Sequence, residues 1–487
     1  MKEYGQYDAT GLAELVRNKE VTATELLEAA RERANATDGQ LNAITWRLDD
    51  HARIEARVRL TGPFAGVPFM VKDIGQDVAG APSASGSAAL RNNMAQQDSE
   101  FVRRARRAGL VILGKTATPE FALKGVTEPE AFGATRNPVN LFHSPGGSSG
   151  GAAAVVAAGI VPMAGASDGG GSIRIPASYC GLFGLRPSRG RVPCGPESGE
   201  VWEGASSEHV LSRSVRDSAA MLDALCGPDA GAPFHIAPPE QPYAQAILQP
   251  PKRLRIGFCT RSPIGTDVHP DVVRVIHVTA SKLESLGHQV EEAEPQIDGL
   301  ALARSFITLY MGQVAADVAA CKAKGATDEQ FELDTRALDL LGRSLSSGEY
   351  VAQRRRWNEY ARGLAQFFTR FDLYLCPTTA YPAPKIGELA TPDWQKLALR
   401  PLLSLGLGKA LHKSGAVERM VRENLRWTPF TQLSNLTGTP SMSVPMGLSE
   451  SGLPIGAQLV APFGEEARLL QLAAQLEPMF VRSRSVV

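Results

Sequence analysis

Two glycine-rich segments and one lysine carry side chains that could make or break a covalent bond. Residues 144–151 read Ser-Pro-Gly-Gly-Ser-Ser-Gly-Gly and lead into an apolar run at 152–158. Residues 168–174 read Asp-Gly-Gly-Gly-Ser-Ile-Arg, a turn that can direct several backbone N–H groups at one point, as an oxyanion hole requires. Lys72 lies near the end of the apolar stretch 65–73. Partial desolvation there favours the neutral amine, which can act as a base.

Each feature also has an interpretation without chemistry. Segment 144–151 can be a helix N-terminus capped by Ser148 or Ser149. Ser172 can belong to an ordinary glycine-rich turn, and Lys72 can be a solvated lysine at a strand end, paired with Asp73. Taken alone, Lys72 favours the structural interpretation, and the two glycine-rich segments do not decide between a structural and a catalytic role.

A third glycine-containing segment matches a phosphate-binding motif. Residues 109–116 read Gly-Leu-Val-Ile-Leu-Gly-Lys-Thr, which fits G-x-x-x-x-G-K-T. The middle of such a loop must bend so that its N–H groups face phosphate. Here the middle is an apolar run at 110–113, which favours a strand buried in a sheet. A helix pattern, not a strand, precedes Gly109.

Ser148 and Ser149 each also fit G-x-S-x-G, the nucleophile elbow of α/β-hydrolases. That elbow needs an apolar strand directly before it. The preceding residues, 135–145, contain two prolines and two asparagines, which argue against a central strand. The elbow interpretation is therefore disfavoured.

Bulk composition excludes several classes of function. The 487 residues include 51 Lys+Arg and 51 Asp+Glu, so no global field favours nucleic acid or an anionic membrane. The six cysteines are scattered, and neither C-x-x-C nor H-E-x-x-H occurs, which argues against a disulfide framework and a zinc site. The most apolar run, 152–166, is too short for stable membrane insertion. These observations predict a cytoplasmic protein.

Strand and helix patterns alternate along the chain, which predicts an α/β fold. Apolar runs predict strands at 65–73, 110–116 and 253–259, and helical patterns are strongest at 152–158 and 270–286. The chain has no internal repeat, long charge block or linker that would divide it.

Several segments together resemble the amidase signature family, over a match that extends from about residue 10 to about 480. The segments are GVPFMVKD (66–73), GKTATPEF (114–121), the stretch 133–159 around SPGGSSGG, the stretch 167–192 around SDGGGSIR, and NLTGTPSMSVPMG with GLPIGAQLV (435–460). GPFAGVP (62–68) and TEPEAFGATRNP (127–138) are further similar to bacterial 6-aminohexanoate cyclic-dimer hydrolases.

The resemblance implies one domain, 1–487, with a catalytic core at about 60–215 and a large mixed twisted β-sheet flanked by helices on both faces. It implies an amidase that hydrolyses non-peptide linear or cyclic amides through an acyl-enzyme, with side activity on esters, anilides or carbamates. The expected partner is a small-molecule amide, with no cofactor, no metal and no nucleic acid. The resemblance is compatible with a homodimer.

The family's Ser–cis-Ser–Lys triad maps onto three positions of this chain. Ser172 corresponds to the nucleophile, Ser148 to the bridging serine, and Lys72 to the base. Neutral Lys72 would take a proton from Ser148 while Ser148 takes one from Ser172.

The resemblance also implies the surroundings of the triad. Backbone N–H groups would hold the oxyanion, and other residues would bind substrate or support the site. The oxyanion donors are Gly169, Gly170, Gly171 and Ser172; Ala122 is the substrate contact; Ser149, Asp168 and Arg174 are the supports. Many relatives have Ile or Thr where this chain has Gly169, so we expect a less bulky wall there.

Two other functions stay open at this point. One is a glutamine amidotransferase A-type subunit that works with partner subunits, although residues 194–210 lack that subfamily's usual continuation. The other is a nucleotide-binding protein that uses Gly109–Thr116. The apolar, glycine-containing segment 385–411 is either a lid or pocket wall, or a core helix with a loop.

Overall fold

The structure is a computed structural model that describes residues 3–58, 60–408, 415–482 and 485–487. The described residues form one 11-stranded mixed sheet, in the order β1-β3-β2-β4-β6-β5-β10-β11-β9-β7-β8. The strands are β1 Ile44–Arg47, β2 Pro68–Lys72, β3 Val111–Thr116, β4 Met163–Asp168, β5 Phe183–Arg186, β6 Ser207–Ser212, β7 Arg255–Phe258, β8 Gln289–Glu292, β9 Leu373–Pro377, β10 Ser441–Leu448 and β11 Pro454–Val460. The expected α/β class and mixed sheet are confirmed.

Helices flank the sheet, and their buried side chains pack with those of the strands in the hydrophobic core. The described helices are α1 Ala9–Arg17, α2 Ala23–Leu41, α3 Asp49–Arg57, α4 Glu100–Arg107, α5 Gly150–Ala157, α6 Arg174–Cys180, α7 Val215–Leu225, α8 Tyr243–Ala246, α9 Pro270–Ser285, α10 Gly299–Ala323, α11 Leu333–Ser344, α12 Ser347–Arg355, α13 Trp357–Phe367, α14 Asp393–Ser404, α15 Ala416–Leu425, α16 Gln432–Thr437 and α17 Glu466–Leu476.

The predicted elements lie where their patterns placed them, within a few residues. The apolar runs became β2, β3 and β7, and the helical patterns became α5 and α9. Strand β2 is buried along its whole length because β3 and β4 pair with its two edges and helices α2 and α5 pack against it. A strand buried on both faces reads as a continuous apolar run rather than an alternating one.

The segment that matches a phosphate-binding loop is a strand. Residues 111–116 form β3, and Lys115 is fully buried within it. Its Nζ lies 3.1 Å from Asp73 Oδ1 and donates to the carbonyl of Pro82 at 2.9 Å. The strand interpretation is confirmed, and these contacts leave Lys115 no access to a phosphate.

The nucleophile-elbow alternative also fails. Residues 117–149, all of which the structure describes, contain no strand, only the isolated bridges of Asn137 with Asn140 and of His143 with Lys385. No apolar strand therefore leads into Ser148.

The segment 385–411 contains α14, whose side chains are largely exposed. Trp394 is 68% exposed and Leu397 70%, so the core-helix alternative is wrong for this helix. The role of a lid stays a prediction, and residues 409–411 lie outside the described part of the chain.

Gly151→Ala should destabilise the fold, because α5 lies so close to β3 that a Cβ there would sit 2.3 Å from the backbone nitrogen of Ala117. Overpacking of this kind costs about 1–3 kcal/mol, more than the gain in helix propensity. Urea denaturation measures the change.

The matched control is Gly39→Ala, a helical glycine of α2 whose Cβ would have nothing within 4 Å. It should stabilise the protein by about 0.5–1 kcal/mol through helix propensity. Equal effects of the two substitutions would contradict the close approach of α5 to β3.

Candidate active site

The carboxyl ends of three neighbouring strands bring the site together. Strand β2 runs parallel to both β3 and β4, so the three strands end at one edge of the sheet. Lys72 is the last residue of β2, and Asp168 is the last residue of β4. The turn after β4 carries the three glycines and Ser172, and α6 follows it. Lys72 and the glycine-rich turn are therefore neighbours in space.

Lys72 is fully buried and points at two hydroxyl groups. Its Nζ donates to Ser148 Oγ at 2.7 Å and to Ser167 Oγ at 3.1 Å. Burial lowers the pKa of Lys72 to about 7, although Asp168 and Glu208 pull it the other way. A large fraction of Lys72 is therefore the neutral amine near neutral pH.

The peptide bond between Gly147 and Ser148 is cis. Only glycine fits at position 147, because a Cβ there would lie 2.6 Å from the carbonyl oxygen of Lys124. Ser149 occupies the N-cap position of α5, but its side chain makes no capping hydrogen bond. Its hydroxyl instead donates to the carbonyl of Ser167 at 3.2 Å. The interpretation of Ser149 as a side-chain cap is wrong, since this hydroxyl links the segment to β4.

The glycine-rich turn is held by hydrogen bonds from the C-terminal part of the chain. Thr431 Oγ1 donates to the carbonyl of Gly170 at 2.6 Å. The N–H of Gly171 donates to Asp168 Oδ1 at 2.7 Å, and this bond competes with its expected role as an oxyanion donor. The N–H groups of Gly169, Gly170 and Ser172 have no partner among the described residues. The half-buried Ser172 hydroxyl likewise has none there.

Asp168 and Arg174 form a fully buried ion pair below the turn. Arg174 Nη2 and Nε donate to the two oxygens of Asp168 at 2.8 and 2.9 Å. Burial alone would raise the pKa of Asp168, but the charge and hydrogen bonds of Arg174 outweigh it and hold that pKa well below its usual range. Asn435 adds a hydrogen bond to Asp168 Oδ1 at 2.9 Å, and Arg174 donates to Gln458 Oε1 at 2.7 Å.

Ala122 lies in a short 3₁₀ turn, Glu120–Ala122, with a left-handed backbone at Phe121 (φ 46°) and Ala122 (φ 59°). The buried carboxylate of Glu120 holds this turn, since it accepts hydrogen bonds from Ser87 Oγ at 2.6 Å and from the N–H of Glu332 at 2.9 Å. Burial raises the pKa of Glu120 to about 7. Lys124 follows this turn by two residues, and its carbonyl oxygen lies beside Gly147. The turn therefore leads directly to the segment that contains the cis peptide bond.

The wall beside Gly169 is bulkier than the sequence led us to expect. A Cβ on Gly169 would lie 3.1 Å from Trp202 Cε3, and a Cβ on Gly170 would lie 2.6 Å from Phe306 Cζ. Tyr310 packs edge-on against Trp202, with ring centroids 4.8 Å apart. The expectation of a less bulky wall is wrong, because aromatic rings from distant segments fill the space that a side chain at 169 would take.

Sequence reasoning missed several residues that the fold brings to the site. They are Ser167, Trp202, Glu208, Phe306, Tyr310, Thr431, Asn435 and Gln458. Ser167, Asn435 and Gln458 could have been found, because each lies in a segment that carries the family resemblance. The others carry no local signal, since their place depends on the order of the strands and on packing between remote segments.

The structure offers no sign of a metal centre or a membrane span in the part of the chain that it describes. No group of three or more His, Cys, Asp or Glu there is arranged to hold a metal ion. None of the described helices is long and apolar enough to cross a membrane.

Comparison with known proteins gives matches along almost the whole chain. The model of the family Amidase matches residues 25–470. The 6-aminohexanoate-cyclic-dimer hydrolase of Pseudomonas sp. (strain NK87) is 38% identical over an alignment that covers 96% of this chain and 94% of that protein. The solved structure of a 6-aminohexanoate cyclic dimer hydrolase has a TM-score of 0.91 and 35% identity, with 99% of each chain covered. A bacterial aryl acylamidase of the amidase signature enzymes has a TM-score of 0.84 and 26% identity, covering 97% of this chain and 96% of that one.

Asp168→Asn should strongly destabilise the protein, because it leaves the buried guanidinium of Arg174 without its charge partner. Breaking one partner of a buried pair costs about 3–5 kcal/mol. The free energy of unfolding from urea titrations gives the measurement.

Asp50→Asn is the control, since the Asp50 side chain is 95% exposed and pairs with Arg53 at the surface. Its effect should stay within about 0.5 kcal/mol. A loss of stability in Asp168→Asn no larger than in this control would show that the ion pair is not what holds the turn.

Proposed function

We propose how this chain, which belongs to the Amidase family and hydrolyses amide carbon–nitrogen bonds, carries out that reaction. Lys72 is the base, Ser148 the proton bridge and Ser172 the nucleophile of a Ser–cis-Ser–Lys triad. The observation that carries the proposal is the hydrogen bond of 2.7 Å between a fully buried lysine and the hydroxyl of Ser148. A buried amine with its pKa near 7 suits general base catalysis at neutral pH.

In the acylation step, the Ser172 oxygen attacks the carbonyl carbon of the amide. Its proton passes to Ser148 Oγ, and the Ser148 proton passes to Lys72 Nζ. The carbonyl oxygen becomes an oxyanion, which the free N–H groups of Gly169, Gly170 and Ser172 stabilise. Because no described residue holds the Ser172 hydroxyl in a hydrogen bond, this hydroxyl can turn toward the substrate.

The leaving group then departs, and water completes the reaction. The carbon–nitrogen bond breaks as Lys72 returns its proton through Ser148 to the leaving nitrogen. Water attacks the acyl-enzyme on Ser172 and gives its proton to the same relay. The products are a carboxylic acid and an amine, and every group of the protein regains its initial protonation state.

The cyclic dimer of 6-aminohexanoate is the first substrate to test, because relatives with that activity in their names match the chain over almost its whole length. Trp202, Phe306 and Tyr310 flank the oxyanion turn and favour an uncharged amide with apolar groups beside the scissile bond. Linear amides, anilides, esters and carbamates are the next substrates to test, because the same acyl-enzyme mechanism can cleave all of them. A cytoplasmic location and a homodimer stay predictions.

Ser172→Ala should lower kcat by about a thousandfold or more, because it removes the hydroxyl that forms the acyl-enzyme in the proposed mechanism. Lys72→Ala should come close to the same loss. Hydrolysis by the isolated chain is followed on a panel of the cyclic dimer, linear aliphatic amides and anilides, with circular dichroism as the check on folding.

Ser149→Ala is the matched serine control and should lose less than about tenfold, because Ser149 only links the segment to β4. Retention of a tenth of the activity by Ser172→Ala would refute its role. An isolated chain that turns over only with a co-purified partner would instead support the amidotransferase alternative.

The value of kcat/KM should rise with pH through about 7, the pKa of Lys72. Below pH 7, kcat/KM should fall about tenfold per pH unit, because only the neutral amine of Lys72 accepts a proton. Stopped assays from pH 5.5 to 9 on the best substrate of the panel give the profile. A flat profile with acylation rate-limiting would contradict the role of Lys72 as base.

A further inference from the structure

A turn with an unfavourable backbone lies directly beside the glycines of the proposed oxyanion hole. Residues 202–204 all have left-handed backbones, although Trp202 and Glu203 carry side chains. This conformation persists at a residue with a Cβ only where the surroundings enforce it, and it is common at functional sites. The turn brings the Trp202 ring so close to Gly169 that a Cβ on Gly169 would lie 3.1 Å from Trp202 Cε3.

Two arginine side chains hold the carbonyl groups of this turn. Arg189 Nε donates to the carbonyl of Gly204 at 2.7 Å. Arg186, which is fully buried, donates to the carbonyl of Ala205 at 3.0 Å. These contacts fix the direction of two successive peptide groups and so enforce the left-handed path.

Asn435 ties the turn to the strand that ends at the glycines. Its Nδ2 donates to the carbonyl of Ala205 at 3.1 Å and to the carbonyl of Asp168 at 2.9 Å. Strand β6 begins shortly after the turn, and its first residue, Ser207, pairs in register with Asp168 of β4. The Trp202 ring is therefore fixed relative to the oxyanion turn.

Two further rings support the Trp202 ring from behind. Tyr310 packs edge-on against Trp202, with ring centroids 4.8 Å apart, and Phe306 lies 5.3 Å from Tyr310. Phe306 also fills the space at Gly170, where a Cβ would lie 2.6 Å from Phe306 Cζ. Phe306 is 4% exposed, whereas Trp202, Gly169 and Gly170 are half-buried. The face that a substrate can meet is therefore formed by the indole ring and the two glycines.

The gap between Gly169 and the indole ring is too narrow for a methyl group. A carbonyl oxygen in the proposed oxyanion hole lies about 3 Å from the N–H nitrogens of Gly169 and Gly170. The carbon bonded to that carbonyl group is only about 2.4 Å from the oxygen, so it lies beside the Trp202 ring. A methylene group fits next to a flat ring, but a branch at the same carbon must displace it.

We propose that Trp202 is a specificity-determining residue that excludes a branch at the carbon bonded to the scissile carbonyl. The substrates are then amides whose acyl group begins with a methylene, as in straight-chain and polymethylene amides. α-Amino acid amides and peptides are branched at this carbon and are excluded. The inference rests on the proposed function, since that function places the substrate carbonyl at the N–H groups of Gly169 and Gly170.

Two isomeric acyl groups test the inference, because butyryl and isobutyryl contain the same atoms and differ only in the branch. Each is joined to 4-nitroaniline and to the amino group of 6-aminohexanoate, and kcat/KM is measured for the four amides. The rates of alkaline hydrolysis correct for intrinsic reactivity. The wild-type enzyme should prefer butyryl by about tenfold or more, the discrimination that one carbon gives in a tight pocket.

Substitution of Trp202 should remove this preference. Trp202→Ala should lower it about tenfold, because the lost ring makes room for the branch and raises kcat/KM for the isobutyryl amides. Trp202→Phe should give an intermediate preference and replaces Trp202→Ala if that variant does not fold. Gly169 does not have a left-handed backbone. Adding Gly169→Ala to Trp202→Ala therefore returns a methyl group to the vacated space and should restore part of the preference.

Phe463→Ala is the control, since it removes a 51% exposed ring from the loop between β11 and α17. It should leave the preference unchanged. Circular dichroism and thermal unfolding verify that each variant is folded.

An unchanged preference in the folded Trp202 variants overturns the inference, and so does an equal change in Phe463→Ala. A wild-type enzyme that cleaves both acyl groups equally also overturns it, as does one that leaves the butyryl amides intact but hydrolyses other amides of the panel. These results leave the proposed function standing. Hydrolysis of the butyryl amides by Ser172→Ala at the wild-type rate would instead refute the proposed function itself.

Discussion

The burial of one lysine is the constraint on which the rest of the site depends. An ammonium group removed from water loses most of its hydration energy, so Lys72 prefers to be neutral at the end of β2. The neighbouring strands β3 and β4, together with the helices α2 and α5 that pack on β2, exclude water from that position. Two serine hydroxyls then satisfy the amine, and one of them belongs to the cis-serine segment. A more exposed lysine would keep its proton at neutral pH and could not accept one from Ser148.

The second requirement is that other charges beside this lysine be compensated. Asp168 alone would stabilise the ammonium, but Arg174 neutralises much of its field through a fully buried ion pair. The same pair shapes the glycine-rich turn, because Asp168 Oδ1 accepts the N–H of Gly171. Arg174 reaches Thr431, Asn435 and Gln458. The C-terminal third of the chain therefore supports the turn that carries Ser172, the proposed nucleophile.

The sequence predicted what depends on local pattern and missed what depends on packing between remote segments. Strands β2 and β3 followed from unbroken apolar runs, and the buried setting of Lys72 followed from its place at the end of one. The bond of Gly171 to Asp168 could not be predicted, since it depends on the path of a turn. Glu208 lies near the site only because β6 pairs with β4. No pattern along the chain predicts that these two strands are neighbours.

The aromatic wall beside Gly169 comes from a different part of the chain than the proposed catalytic residues. Trp202 and Glu203 have left-handed backbones, with φ of 56° and 52°, a conformation that costs a non-glycine residue of order 1 kcal/mol or more. Tyr350 and Arg354, which both lie in α12, hold this turn through hydrogen bonds to the Glu203 carboxylate. Phe306 and Tyr310 belong to α10. Changes in this wall can alter which amide fits without disturbing Lys72, Ser148 or Ser172. The proposed triad is therefore compatible with relatives named for a cyclic dimer and for an aryl acylamide activity.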